Sequence, residues 1–153
     1  MTHKNKTPLR HLNRLCAVQL LYMWDINKPE SLESALIDFF ELKECKREVF
    51  GFAEELFRGC LEHIVQIDAT IKENSQNWKF DRIAKVDLAI LRLAVFELLF
   101  RNDIPPIVSI DEAIELAKEL STSDSKRFIN GILDKLKLGL NRPLRSGHVL
   151  KEE

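Results

Sequence analysis

The strongest constraint on the fold is a nearly continuous apolar run from Leu88 to Phe100, interrupted by Arg92 and Glu97. A helix that is apolar on almost every side has to be enclosed by other elements. The run is too short to span a bilayer as a helix. It therefore predicts the central helix of a helical bundle, and the prolines at 105 and 106 end it firmly.

Apolar residues recur at helical spacing before this run. The first predicted helix opens at Thr7, a capping residue, and Pro8, which suits the first helical position. A short second helix is capped by Ser31. A single long third helix is predicted from Val49 to Ile67.

Two more helices follow the apolar run. Ser109 and Glu112 have the spacing of a capping box that starts the first of them, and residues 121–124 end it and cap the last helix. Glu97 and Arg101 are four residues apart, in the favourable order for an ion pair along the central helix. Sustained alternation typical of a half-buried strand is missing from the sequence. We predict an all-α fold, a compact bundle of about seven helices.

A polar break at residues 74–77 divides the predicted bundle. We expect two packed sub-bundles, about 7–74 and 78–138, rather than two independent domains. A chain of 153 residues fits one domain of this kind, which we place at 1–140. Residues 141–153 are polar and are expected to form a flexible tail.

The cysteines and the N-terminus indicate the compartment. The chain has three cysteines, which is an odd number, and none of them belongs to a C-x-x-C motif. This favours free thiols in a reducing compartment. Cys16 and Cys60 occupy apolar helical positions, where cysteine acts as a small hydrophobe. The N-terminus has no apolar signal-peptide core. We expect a cytoplasmic protein that does not enter a membrane.

The sequence contains no constellation that would carry a reaction. The motifs H-E-x-x-H, G-x-x-x-x-G-K-[ST], G-x-G-x-x-G and G-x-S-x-G are all missing. The four histidines are scattered without ligand spacing, and His63 is interpreted as a surface or core-edge residue. We predict no catalytic residue, no metal and no cofactor.

The N-terminus carries a concentration of positive charge. No acid precedes Asp25, whereas Lys4, Lys6, Arg10 and Arg14 all do. Such an arm is typical of proteins that bind a polyanion. It is equally the composition of a solvated, frayed terminus. If the first helix packs on one side, we expect its other side to present Arg10 and Arg14.

Two rings are candidates for stacking on unpaired bases. Tyr22 ends the basic first helix, and a ring beside cations suits single-stranded RNA. Its alternative is core packing with a satisfied hydroxyl. Phe128 on the last helix is likewise either a stacking platform or part of the core.

Polar residues near Phe128 form a second candidate site. Asp124 either accepts hydrogen bonds from base amino groups or simply caps the last helix. Ser125, Lys126 and Arg127 add donors beside it. Asp87 interrupts the apolar central helix and faces either solvent or a ligand.

The order of these segments resembles the NusB family, from about Leu9 to Leu136. The first signature is LCAVQLLY at 15–22. The stronger ones are VDLAILRLAVFEL at 86–98, IDEAIELAK at 110–118 and FINGILD at 128–134. One departure is the arm, which mixes lysine, arginine and histidine where family members often have dense arginine. A second is Asp111, which stands at the family's usual asparagine.

The resemblance implies a transcription antitermination factor that catalyses no reaction. Such proteins pair with the ribosomal protein NusE and bind the single-stranded boxA element of nascent RNA. They contact the RNA polymerase elongation complex indirectly and promote processive transcription, notably of ribosomal RNA operons. The NusE face is expected on the C-terminal bundle. The implied RNA surface comprises Lys4, Lys6, Arg10, Arg14, Tyr22, Asp87, Asp124, Lys126, Arg127 and Phe128.

Two alternatives share this fold. One is a protein-interaction module that does not bind RNA. The other is the related RNA-binding domain attached to RNA cytosine methyltransferases. In the RNA-binding interpretation, Asp87 and Asp124 read base edges and do not contact phosphates, because like charges repel.

Overall fold

The fold is all-α, as the sequence predicts, in a computed structural model that describes the backbone of residues 3–75 and 79–146 and the side chains from residue 9 onward within those ranges. This part of the chain contains seven α-helices and no strand. Short 3₁₀ turns at Arg47–Phe50 and Phe80–Arg82 precede the third and fifth. The helices are α1 (His3–Asn27), α2 (Leu32–Lys43), α3 (Gly51–Glu62), α4 (Ile64–Asn74), α5 (Lys85–Phe100), α6 (Pro106–Leu120) and α7 (Ser123–Leu138).

The helices fall into two compact units. The first ends at Glu62 and contains α1 to α3, and the second begins at His63 and contains α4 to α7. The division comes earlier than the break predicted at residues 74–77, because α4 packs against α5 and α7. Residues 76 and 77 of the predicted break, and residue 78 after it, lie outside the described residues.

The predicted long third helix is two helices. Backbone angles at His63 leave the helical region between α3 and α4. The His63 imidazole stacks on the Phe100 ring, with 3.8 Å between centroids. Phe100 lies far along the sequence, so helical spacing near residue 63 contains no sign of this contact.

In the first unit, α1 packs along α3, and one buried side chain joins them. Asn13 Oδ1 accepts a hydrogen bond from the Ala53 backbone N–H at 2.9 Å. That N–H belongs to the first turn of α3 and has no partner within its own helix. Asn13 Nδ2 donates to the Leu9 carbonyl at 2.9 Å. Asn13 therefore caps α3 from a distance.

In the second unit, α5 is the central helix, as predicted. Its residues are buried without interruption from Asp87 to Leu98, and α4, α6 and α7 all pack on it. The charged side chains within this run have hydrogen-bond partners in the same unit. The Arg92 guanidinium binds both carboxylate oxygens of Asp68 at 2.9 Å each.

One prediction at the α5–α6 connection is wrong. Helix α6 begins at Pro106, so Ser109 lies inside the helix and does not cap it. The Ser109 hydroxyl instead donates to Glu97 Oε1 at 2.6 Å, and both residues are almost wholly buried. Arg101 is the C-cap of α5, and its guanidinium pairs with Asp103 at 2.8 Å. A tertiary partner has replaced the predicted cap.

The helix starts are partly as predicted. Ser31 caps α2 by accepting from the Ser34 N–H at 3.0 Å. Helix α1 begins at His3, ahead of the predicted cap at Thr7. Thr122 caps α7 by accepting from the Ser125 N–H at 3.1 Å.

Residues 141–146 do not behave as the predicted flexible tail. The Leu144 carbonyl accepts from the Ile107 N–H, in the first turn of α6, at 3.0 Å. The Arg142 guanidinium donates to the Arg101 carbonyl at 3.2 Å and also to the Ile104 carbonyl. We call residues 139–146 the C-terminal strap. Residues 147–153 of the predicted tail lie outside the described residues.

Of the helices that the structure describes, none combines the length and the hydropathy needed to cross a bilayer.

Candidate nucleic-acid interface

Asp87 lies at the start of α5 and is buried, with 5% of its surface exposed. Its two carboxylate oxygens accept hydrogen bonds from the Ser121 hydroxyl at 2.8 Å and from the Ser125 hydroxyl at 2.7 Å. The alternative in which Asp87 faces solvent is therefore wrong. The carboxylate ties α5 to the α6–α7 junction.

A cavity of about 190 Å³ lies next to Asp87, and we call it the ring cavity. The Phe128 ring is half-buried in its wall, so part of the ring surface is accessible from the cavity. Asp124 is an exposed rim residue that pairs with Arg127 at 2.7 Å, and Thr122, not Asp124, caps α7. The lining residues are Arg82, Ile83, Ala84, Asp87, Asp124, Ser125 and Phe128.

The ring cavity thus joins three residues that the sequence analysis placed on the RNA surface. An aromatic face next to carboxylate oxygens suits a planar base that carries amino groups. Arg82 was not predicted as functional, and Ser125 was predicted only as a hydrogen-bond donor beside Asp124. The sequence contained no spacing signal for Arg82, because it comes from the 3₁₀ turn before α5.

Lys126 and Arg127 line a separate, larger cleft at the α6–α7 junction. The cleft has a volume of about 450 Å³. Successive positions of the first turns of α7 therefore face two cavities, one with a ring and carboxylates and one with cations. The residues lining the larger cleft are Lys118, Ser121, Thr122, Ser123, Lys126 and Arg127.

In the first unit, the predicted basic face of α1 is only partly present. Arg10 is exposed, and its guanidinium lies 3.8 Å from the Phe52 ring centroid. Arg14 is only 4% exposed, so the prediction that it projects from the surface is wrong. Its guanidinium lies 5.4 Å from the same ring. Tyr22 is 37% exposed and can still present a ring edge.

The remaining members of the predicted arm lie outside the described side chains. Lys4 and Lys6 fall within α1, but only their backbone is described. Their part in RNA binding stays a prediction.

The first unit contains an ionic cluster that the sequence did not predict. Arg47 donates to Glu54 at 2.9 Å and to Glu33 at 3.0 Å, and Arg58 joins the same two carboxylates. The hydrogen bond from Arg47 lowers the pKa of Glu54. Only Glu54 and Arg58, four residues apart, carried a sequence signal.

The cysteines behave as small apolar residues. Cys16 and Cys60 are buried, as expected from their helical positions. Burial raises the pKa of the Cys16 thiol to about 12, with Cys45 nearby adding to the shift. The thiol therefore stays protonated at neutral pH. Within residues 3–75 and 79–146, no group of three or more His, Cys, Asp or Glu side chains is arranged to hold a metal ion.

The seven described helices, in two compact units, define a small all-α protein whose last helix lines two surface cavities. More specifically, the chain belongs to the NusB family, whose sequence model matches residues 11–137. NusB proteins are transcription antitermination factors and not enzymes.

Individual relatives agree with this assignment. The chain is 46% identical over 127 residues to the transcription antitermination protein NusB of Geobacter sulfurreducens, covering 83% of this chain and 92% of the relative. It is 47% identical over 132 residues to the same protein of Anaeromyxobacter dehalogenans, covering 86% and 91%.

Solved structures of the family share the fold. A crystal form of T. maritima NusB matches with a TM-score of 0.75 at 34% identity, covering 92% of this chain and 93% of that one. A crystal structure of the antitermination factors NusB and NusE in complex with double-stranded RNA matches with a TM-score of 0.74 at 27% identity. It covers 84% of this chain and 96% of the matched chain.

Proposed function

We propose that this protein is a transcription antitermination factor that binds single-stranded boxA-type RNA jointly with the ribosomal protein NusE. It promotes processive transcription of ribosomal RNA operons and reaches RNA polymerase only through the assembled complex. It works in the cytoplasm. Residues 1–140 act as one RNA-binding domain, although they comprise two compact units.

The match to a NusB crystallised with NusE and RNA carries this proposal. That structure contains double-stranded RNA. The ring cavity favours an unpaired base for this chain, because a base inside a duplex cannot place its face on the Phe128 ring. The protein-only alternative has no comparable support, since the half-buried ring and the cationic cleft would then have no ligand.

The RNA-binding residues divide by chemistry. On the second unit, Phe128 stacks a base and Asp124 accepts from its amino group. Lys126 and Arg127 contact phosphates. The carboxylate of Asp87 holds the hydroxyls of the cavity wall, so it shapes the site more than it contacts RNA.

On the first unit, Arg10 supplies positive charge and Tyr22 a ring edge, with Lys4 and Lys6 extending the arm. Arg14 does not contact the RNA directly, because its side chain is buried. Its cation can still stabilise the Phe52 ring over which Arg10 lies.

The test is fluorescence anisotropy with the full chain and NusE mixed at equal concentration. The probes are a labelled boxA-type RNA, the same RNA annealed to its complement, and a scrambled single strand. We expect the single-stranded boxA RNA to bind most tightly. Equal binding of all three RNAs would contradict boxA recognition, and capture of NusE without any RNA binding would favour the protein-interaction module.

The Phe128→Leu variant tests the ring in the same assay. Loss of stacking should weaken binding by about 1–3 kcal/mol, or about 5- to 150-fold. Phe100→Leu is the matched control, since Phe100 is half-buried at the far end of α5 and stacks on His63. If Phe128→Leu lowers the melting temperature while its folded fraction binds RNA normally, the ring is structural.

A further inference from the structure

The cleft at the α6–α7 junction has a lining of one charge sign. It is lined by three cationic side chains and three hydroxyl-bearing ones, with no acid among them. Lys118 comes from the last turn of α6, and Lys126 and Arg127 come from the first turns of α7. A concave site lined by cations from two elements concentrates positive potential.

The cations of this cleft are available to a ligand. Lys126 makes no ion pair within the part of the chain that the structure describes. Lys118 pairs with Glu115 at 3.0 Å, and both side chains are about half exposed. Arg127 pairs with Asp124 at 2.7 Å, with 77% and 90% of the two side chains exposed. Exposed pairs of this kind contribute little stability and open readily.

The backbone N–H groups of α7 are not what makes the cleft suited to an anion. Thr122 already caps the helix, and the Ser121 hydroxyl is committed to Asp87. Ser123 has the one hydroxyl of the three for which the described residues provide no hydrogen-bond partner. The donors open to a ligand are therefore Lys126, the Ser123 hydroxyl and, once their exposed ion pairs open, Lys118 and Arg127. Together they match the oxygens of a phosphate group.

The cleft adjoins the ring cavity. Asp124, Ser125 and Phe128 line the ring cavity, and Ser123, Lys126 and Arg127 line the cationic cleft. These residues alternate within about one and a half helical turns, roughly 8 Å along the axis. A nucleotide with its base on Phe128 therefore has its backbone within reach of the cations.

We propose that this cationic cleft is a phosphate subsite, which holds a phosphodiester of the same single-stranded RNA whose base occupies the ring cavity. Lys118 and Ser123 are its previously unassigned members. The proposal rests on the proposed function, because the RNA is its occupant. In this proposal, one side of the first turns of α7 binds a base, and the other side binds the phosphate backbone of the RNA.

The first test is the salt dependence of RNA binding by the full chain with NusE. For a single strand, the log–log slope falls by about 0.7 for each phosphate contact that is lost. The double variant Lys118→Gln/Lys126→Gln should reduce the magnitude of the slope by about 0.7. The matched control is Lys135→Gln/Lys137→Gln, which removes the same two charges further along α7, where Lys137 pairs with Asp134 at 3.6 Å much as Lys118 pairs with Glu115. A wild-type slope for the double variant, or an equal reduction by the control, would overturn the proposal.

The second test separates this proposal from RNA recognition as a whole. Inorganic phosphate is titrated into the isotope-labelled full chain without RNA, and amide shifts are followed by NMR. Saturable shifts at residues 121–127 that the double variant abolishes support an anion site, even if no RNA binding is found. Shifts spread evenly over all basic surfaces would show that the cleft is not a specific anion site and would overturn the proposal. If phosphate binds but the RNA slope is unchanged, the cleft takes a free anion and the RNA assignment is wrong.

Discussion

Asp87 shows how a charge inside an apolar helix acquires its role from the folded structure. Its side chain is buried, and both of its oxygens receive hydroxyl donors from the α6–α7 junction. The sequence located the charge but could not locate these donors, which lie more than thirty residues further along the chain. Arg14 is a second charged residue whose environment the sequence could not predict. Its position in a basic segment suggested exposure, whereas the structure buries it beside Phe52.

The first residue-scale prediction concerns this carboxylate. Asp87→Ala should lower the free energy of unfolding by about 1–3 kcal/mol, because two hydroxyl donors lose their buried acceptor. Urea denaturation followed by circular dichroism measures the loss. Asp111→Ala is the control, since Asp111 is an exposed carboxylate on α6. Equal losses for the two variants would show that the Asp87 bonds contribute no net stability.

At the scale of the elements, periodicity predicted which segments are helical, and tertiary contacts decided where the helices end. The helical spacing of residues 49–67 continues through the break at His63, where stacking on Phe100 has no local signal. Ser109 has the sequence spacing of a helix cap, but its hydroxyl donates to Glu97 inside the core. Asn13 caps α3 from α1, and no spacing rule relates those two positions.

The ionic cluster between α2 and α3 gives an element-scale prediction about pH. Arg47 holds the pKa of Glu54 below its ordinary value of 4.5. A lowered pKa in the folded state means that the stabilisation is fully present above pH 4.5 and is lost as the pH falls through the folded-state pKa. Arg47→Gln should therefore cost about 0.2–1 kcal/mol at neutral pH, a modest value because the cluster is partly exposed.

The same variant should approach wild-type stability at acid pH, once Glu54 is protonated in both proteins. Urea midpoints measured across a pH series show this convergence. Lys46→Gln is the control, because the neighbouring Lys46 is exposed and lies outside the cluster. A stability difference that stays constant down to the lowest pH would mean that Arg47 acts through packing and not through its charge.

At the scale of the whole molecule, the order of sequence motifs was sufficient for the family and the fold class. The family model spans residues 11–137, which includes every segment that carried the resemblance. Motif order could not place the division between the units, because that depends on which helices α4 packs against. The candidate site was half predictable. Phe128 and Asp124 followed from the resemblance, while Lys118, Ser123 and Arg82 became visible only as the walls of cavities.

The C-terminal strap lies beyond the family match and was predicted to be flexible, yet it completes the second unit. Arg142 donates to the Arg101 and Ile104 carbonyls, which lie in the connection between α5 and α6, outside both helices. Arg142→Ala should lower the free energy of unfolding by about 1–3 kcal/mol, since these part-buried carbonyls lose a charged donor. Arg145→Ala is a close control, because Arg145 is exposed in the same segment and no described residue bonds to its side chain. Calorimetry of the two variants decides the point. Equal melting temperatures would mean that the strap rests on the helices without stabilising them, whereas a selective loss for Arg142→Ala would place residues 139–146 within the folded unit.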